Sequence, residues 1–389
     1  MEDRLYDFWA SCLQNGYIGN LIDIVERAGG ARELYHMKHE HIAAALGVSD
    51  KMADLIAADR DDDSVEYQYE KMSKHKITYV NYMDDIYPTR LKYIASRPHG
   101  LFVKGNLPNE NTAGVAIVGA RACSEYGRTV AEYMAGRLAE SGINTISGMA
   151  WGIDGIAQMA TVKKHGRSYA VLGCGVDIAY PRNNKALYDM LVTDGNGVIS
   201  EYAPGTEPNS RLFPPRNRII SGLSDLLLVI EARVRSGTLI TAGLAIEQGK
   251  TVMAVPGRIT DPLSAGCIKL IAEGAYPVSN FESVLNEINC YNPNSDSDNA
   301  NEGYEQLTLD PLMTERVNSN RACPLADMSE EEQSVYTVLG LDPCHVDDIA
   351  EQVEMDISAV LAILTGLELK GRVRETGNGF FVRSICAIV

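Results

Sequence analysis

The chain has 389 residues, 45% of them hydrophobic, and a formal net charge of −17. That length holds two or three domains, and the composition excludes a disordered chain. No uncharged apolar run reaches the roughly 18–20 residues of a membrane helix, and the net acidity taken whole argues against a nucleic-acid partner.

The first residues, Met1 to Cys12, lack a basic segment followed by an apolar one, so no secretory leader is expected. The eight cysteines are scattered with no C-x-x-C pair. Neither a metal site nor a disulfide framework is expected from them, and reduced thiols suit a cytoplasmic protein. The charge is uneven. Residues 115–282 carry 16 basic and 15 acidic side chains, whereas the rest carries 19 and 37. The acidity lies in the flanks and leaves the centre free to form a basic groove.

Residues 1–65 predict small helices, from the spacing of Leu21, Ile22 and Val25 and of Ile42, Ala45 and Leu46, with Gly16, Gly19, Gly29, Gly30 and Gly47 as punctuation. A helix-hairpin-helix or SAM-like module and a helical cap on the main domain both fit. Arg60–Ser64 reads as a solvated linker. His36, His39 and His41 read as surface residues of these helices.

Residues 70–288 alternate short apolar strands with helices. Strands are expected at 115–118, 143–146, 170–172, 197–199, 226–230 and 251–255, and helices at 129–139, 152–164 and 239–248. This alternation predicts an α/β fold with an extended, doubly wound parallel sheet that binds ligands at the carboxyl ends of its strands. Residues 289–325 are rich in Asn, Asp, Ser and Glu and predict a flexible linker. Residues 326–389 predict three helices (Ser329–Leu339, His345–Val353, Ile357–Lys370) and a hairpin around Gly377-Asn-Gly379, the outline of a winged helix. Only four basic residues face twelve acidic ones from 325 to 389, which disfavours tight duplex binding and favours contact with protein.

Each central strand ends in a small-residue loop holding a polar or basic group. Ile117-Val-Gly-Ala-Arg121 leads through Ser124 into a helix; free N–H groups and Arg121 suit a phosphate. A surface arginine on an ordinary turn is the plainer reading. Asp154, in Ser147-Gly-Met-Ala-Trp-Gly-Ile-Asp154, is expected to cap a helix or serve as a buried hydrogen-bond hub, since nothing at readable spacing supplies a catalytic partner. Leu172-Gly-Cys-Gly-Val-Asp177 runs on to Tyr180-Pro-Arg182-Asn-Asn184. In Phe213-Pro-Pro-Arg216-Asn217-Arg218 two prolines set a ring beside two guanidinium groups, a pairing that serves base stacking and phosphate contact. Phe213 as a core ring, with the arginines paired to acids, is the competing reading. Ser236, Gly237 and Thr238 open a helix after a buried strand and offer hydroxyl and backbone donors to an anion. Lys269 follows Gly266 at another helix start. No P-loop, nucleophile elbow or H-E-x-x-H occurs, and no catalytic residue, metal or cofactor is expected.

Taken together, IVGAR (117–121), SGMAWGID (147–154), VLGCGVDIAYPRNN (171–184), SEY (200–202), FPPRNRIISGLS (213–224), SGTLITAGLAIEQGK (236–250) and VPG (255–257) resemble the DNA-processing protein A (DprA, also called Smf) family. The resemblance spans roughly residues 80–285. It implies an extended Rossmann-like fold that binds single-stranded DNA without processing it, protects incoming strands and loads the RecA recombinase in natural transformation, as a homodimer. Carried over by motif, Arg121 and Arg182 would hold phosphates, Phe213, Asn217 and Arg218 would line the same pocket, and Ser236 to Thr238 would add backbone and hydroxyl contacts. Ser124, Asn184, Arg216 and Lys269 complete the expected contact set. Trp151 stands where the family often has a basic residue, and Ala120 replaces a common serine. Two other readings stay open. One is a Rossmann-like nucleoside-monophosphate phosphoribohydrolase, although its P-G-G-x-G-T-x-x-E pattern is not reproduced at 235–238. The other is an interaction scaffold that works through the acidic winged helix.

Overall fold

The computed structural model describes residues 2–13, 21–58, 60–193, 195–291, 328–340 and 342–384. The expected linker at 289–325 lies almost wholly outside the described residues, as do Gly16 and Gly19. The chain forms two compact units, Met1–Ile288 and Asn289–Val389.

The first unit opens with six helices: α1 (Asp3–Cys12), α2 (Leu21–Ala28), α3 (Ala31–His36), α4 (His39–Leu46), α5 (Asp50–Ala58) and α6 (Asp62–Lys74). Strands and helices then follow: β1 (Ile77–Asn81), α7 (Thr89–Lys92), β2 (Gly100–Gly105), β3 (Gly114–Gly119), α8 (Glu125–Glu140), β4 (Asn144–Ser147), α9 (Ile153–Lys163), β5 (Ser168–Leu172), α10 (Lys185–Leu191) and β6 (Gly197–Ser200). The unit ends with α11 (Phe213–Leu223), β7 (Leu226–Glu231), α12 (Gly237–Glu247), β8 (Thr251–Ala254), α13 (Ala265–Ala272), β9 (Tyr276–Pro277) and α14 (Phe281–Tyr291).

One sheet takes all nine strands in the order β1-β2-β6-β5-β4-β3-β7-β8-β9. The run from β6 to β9 is parallel, as the alternation predicts. The strands β1 and β2 add an antiparallel edge, β1 on β2 and β2 on β6, that the sequence reading did not place. Successive residues of a strand face opposite sides, so each central strand feeds two cores. Phe102, Ala170, Leu172 and Val198 join the N-terminal helices with α9 and α10, whereas Leu101, Val103, Tyr169 and Val171 join α7, α11, α12 and α13.

The N-terminal helices thus lie on the sheet and share its core. Phe8 of α1 meets Tyr69, Tyr79 and Phe102 edge-on, at centroid distances of 5.2, 5.6 and 6.1 Å. The reading of Arg60–Ser64 as a solvated linker is corrected. The Arg60 guanidinium donates to the carbonyls of Met37 (2.5 Å), Leu34 and Ile56 (both 3.1 Å), and so ties the ends of α3 and α5 together. Asp62 and Asp63 form the first turn of α6, where the helix dipole favours acids. A second correction concerns Phe213-Pro-Pro, which begins α11. Proline belongs in a first helical turn, where its missing N–H would have had no partner.

The second unit is a winged helix: α15 (Glu330–Val338), β10 (Cys344–His345), α16 (Val346–Val353), α17 (Ile357–Leu369), β11 (Val373–Gly377) and β12 (Phe380–Arg383). Ser329 and Glu332 cap α15 reciprocally. The three strands pair in the order β10-β12-β11, one strand more than the expected hairpin. The exposed residues of α17 (Ile357, Ser358, Leu361, Ala362, Thr365, Glu368 and Leu369) include no cation.

Phe8→Ala removes a fully buried ring from the junction of α1 and the sheet. It is expected to lower the stability of this unit by about 3–5 kcal/mol in chemical denaturation. A loss below about 1 kcal/mol would show that the helices do not share the core.

Candidate functional site

From β3 the chain steps outward through β4, β5 and β6, then crosses back to place β7 on the other side of β3. At such a switch point the connections diverge and leave a crevice beyond the carboxyl ends of the strands. The loops after β3, β4, β5 and β7 and the start of α11 all meet at this edge.

The frame of the crevice is built around Gly148. Arg216, only 6% exposed in the first turn of α11, donates one terminal nitrogen to the Gly148 carbonyl at 3.2 Å and also to the Val171 carbonyl. Asp154, buried in the first turn of α9, accepts the Gly148 N–H at 3.2 Å. A Cβ on residue 148 would stand 2.8 Å from both Arg216 Nη2 and Asp154 Oδ2, so the clamp requires glycine there. Burial pulls the Arg216 guanidinium down to about 10 and pushes the Asp154 carboxyl up, each opposed by the other's charge. The expectation that Asp154 is a buried hub agrees with this geometry.

Several residues of the expected contact set turn inward and tie loops together. Asn184 Nδ2 donates to the carbonyls of Met149 (2.9 Å) and Ala150 (3.2 Å). Ser124 caps α8 by accepting the Gly127 N–H, and its hydroxyl donates to Glu231 Oε1 at 2.5 Å. Thr238 Oγ1 donates to the Gly119 carbonyl at 3.2 Å. Arg218 reaches Ser96, Pro215 and the Glu201 carboxylate, the last at 2.6 Å, and Asn217 Oδ1 accepts weakly from Arg216 at 3.4 Å. Gly152 sits at φ +82°, and a Cβ there would lie 2.3 Å from the carbonyl oxygens of Ala120 and Arg121. Only glycine lets the β4 loop rest against the β3 loop so closely.

The outward surface holds the rest. Phe213 lies against the backbone of Gly173, where a Cβ would come within 2.6 Å of its ring. Tyr180 stacks on Phe213 with centroids 5.7 Å apart and an interplanar angle of 13°, and remains 40% exposed. The Arg121 guanidinium stands 5.8 Å from the Phe213 centroid. Arg121 and Arg182 are exposed, and among the described residues no carboxylate lies within ion-pair distance of either. Trp151, on the β4 loop, is 52% exposed, which removes core filling as its role. Ser236 precedes α12 with its hydroxyl oxygen buried and unpaired, and Gly237 beside it is exposed. Lys269, exposed on α13, pairs with Glu273 at 3.6 Å.

The contact set read from sequence omitted Tyr180, although it stands immediately before Pro181-Arg182 in the quoted motif. It also omitted Arg233 and Arg235, which are exposed between β7 and α12.

These features define an open, doubly wound α/β protein whose strand ends present cations and stacked aromatic rings around a rigid clamp. The profile of the family "DNA recombination-mediator protein A" matches residues 78–289, and that of the "DprA winged helix domain" matches residues 320–379. The chain belongs to the DNA recombination-mediator protein A (DprA/Smf) family. It is 43% identical over 227 residues to DNA processing protein DprA of Streptococcus pneumoniae, a span of 58% of this chain and 78% of that one. It is 34% identical over 305 residues to Protein Smf of Escherichia coli, covering 78% and 77%. The solved structure of DNA processing protein A from S. pneumoniae superposes with a TM-score of 0.62 at 36% identity, covering 74% of this chain and 98% of that one.

Arg216→Met keeps most of the side-chain volume but leaves Asp154 buried without its counter-charge. It is expected to cost about 3–5 kcal/mol in chemical denaturation. Stability within about 0.5 kcal/mol of the parent would remove the clamp from the account.

Proposed function

We propose that this chain is a recombination mediator that binds single-stranded DNA across the carboxyl ends of β3, β4, β5 and β7. The observation that carries this reading is the stack of Tyr180 on Phe213 with Arg121 over the same ring. A single strand exposes base faces and a dense line of phosphates, and aromatic platforms beside unpaired cations match both. Arg121 and Arg182 hold phosphates. Tyr180 offers a face to a base with Phe213 supporting it, and Trp151 on the β4 loop offers a second exposed ring. Ser236, Gly237 and the first turn of α12 offer N–H and hydroxyl donors to a further phosphate. Arg216, Arg218, Ser124, Asn184, Asn217 and Thr238 hold the loops in place, and Lys269 contributes to the field at the rim.

The near-neutral central segment inside an acidic chain supports the same reading, because the loops at the strand ends all belong to that segment. On this proposal the protein works in the cytoplasm as a homodimer, without a catalytic centre. It protects an incoming strand and hands it to RecA during natural transformation. The winged helix serves protein contact rather than duplex binding, which the cation-free exposed face of α17 supports.

Binding of a fluorescent single strand of about 30 nucleotides is expected to exceed that of the matching duplex and to fall steeply with salt. Each phosphate contact contributes about 0.7 to the log–log slope. Arg121→Ala and Arg182→Ala are each expected to weaken binding and shallow that slope by about 0.7. Tyr180→Ala is expected to cost about 1–3 kcal/mol of affinity with the slope unchanged. No binding to either DNA would turn the site toward a small anionic ligand. Parental affinity in all three variants would place the strand elsewhere.

A further inference from the structure

The opposite end of the parallel strands carries a second concave site. At the amino ends of β3, β7 and β8, a cleft of about 340 Å³ is lined by Thr89, Arg90, Tyr93, Ile94, Glu110, Gln248 and Lys250. That volume falls at the lower end of the roughly 300–1,000 Å³ typical of small-ligand sites.

One polar atom in this cleft is buried without a partner, and one cation in it has no ion pair among the described residues. Gln248 donates its amide nitrogen to the Arg218 carbonyl at 3.0 Å, while its amide oxygen is buried and accepts nothing. The bond to a carbonyl fixes the amide orientation, because a flipped amide would set oxygen against oxygen. The oxygen is thus a positioned acceptor awaiting an N–H or O–H. Lys250 is half-buried, and among the described residues no carboxylate lies within ion-pair distance of its ammonium. The nearby carboxylate of Asp225 is already taken by the Arg90 guanidinium at 2.9 and 3.0 Å and by the Gly114 N–H at 2.8 Å. Burial lowers the Lys250 ammonium below its ordinary range. An orphaned buried acceptor is costly, and one ligand carrying a donor and an anion would satisfy it while pairing with the half-buried Lys250 ammonium.

The remaining walls indicate what joins those two groups. Tyr93, which lines the cleft, is 85% exposed and makes no ring or cation contact among the described residues; Ile94 beside it belongs to the core, and the Glu110 carboxylate accepts the Thr89 N–H at 3.0 Å. An accessible aromatic face, an amide acceptor and an unpaired ammonium are the elements that recognise a base and its phosphate. We propose that this cleft is a nucleotide subsite: the base stacks on Tyr93 and donates to Gln248 Oε1, and the phosphate pairs with Lys250. The nucleotide comes either from a free nucleoside monophosphate or from one unit of a strand. This subsite lies at the other end of the parallel strands from Arg121 and Tyr180 and does not depend on their role.

Acetylation of Lys250, followed residue by residue by mass spectrometry on the full chain, reads the site directly. With dAMP at about ten times its Kd, only about one tenth of sites stay open, so the acetylation rate of Lys250 is expected to fall about tenfold. Tyr93→Ala, a change at an exposed ring, is expected to abolish that protection without changing the melting temperature. Arg121→Ala is expected to leave it intact, so failure of the strand site and failure of this one are separable. Protection by (dT)8 but not by any of the four deoxynucleoside monophosphates, lost in Tyr93→Ala, would assign the nucleotide to a strand. Protection by inorganic phosphate equal to that by dAMP, or no protection by any of these probes, would overturn the proposal.

Discussion

The grip of Arg216 and Asp154 on Gly148 is the constraint on which the outer site depends. A buried guanidinium takes the carbonyls of two different strand ends, Gly148 and Val171, while a buried carboxylate holds the Gly148 N–H. Three elements that are distant in sequence (the β4 loop, the end of β5 and the start of α11) are fixed against one another in a dry environment. Because α11 begins at Phe213, the same clamp sets the position of that ring on Gly173. Tyr180 and Arg121 then assemble on Phe213. The charges inside the frame organise the charges outside it.

Glycines complete this arrangement by close approach. At Gly152 the carbonyls of Ala120 and Arg121 occupy the volume a side chain would need, and at Gly173 the Phe213 ring does. Ser124 and Thr238 add direct ties between the β3 loop and the β7–α12 segment. The loops at the strand ends therefore form a preorganised surface, which suits a site that must present a flexible polymer with fixed platforms and cations.

Much of this architecture was legible in the sequence. Short apolar runs such as Val115–Val118 and Leu226–Ile230, each ended by small residues and followed by a helix, gave away the parallel sheet, because a strand buried on both faces has no room for polar alternation. The winged helix was legible in Ser329 with its acidic first turn and in the Gly-Asn-Gly turn. The antiparallel edge was not. Residues 77–81 and 100–105 lie among polar and aromatic residues, and their pairing depends on partners far along the chain. Within the site, the motifs located the right loops, but the direction of each side chain was hidden. Arg216 and Arg218 stand two residues apart and read alike, yet on a helix both meet acids and carbonyls that tertiary packing brings to them. Arg121 and Arg182 read no differently and stay exposed. Arg60 looked solvated beside three aspartates, while its partners are carbonyls of other helices.

The central claim is that single-stranded DNA lies on the Tyr180–Phe213–Arg121 cluster. The most direct measurement is photocrosslinking of the full chain to a single strand carrying 5-iodouracil, with the crosslinked peptides identified by mass spectrometry. Crosslinks are expected on Tyr180, Phe213 or Trp151, and they should disappear when unlabelled single strand competes. Crosslinks confined to the winged helix, or to surfaces away from the ends of β3, β4, β5 and β7, would contradict the account.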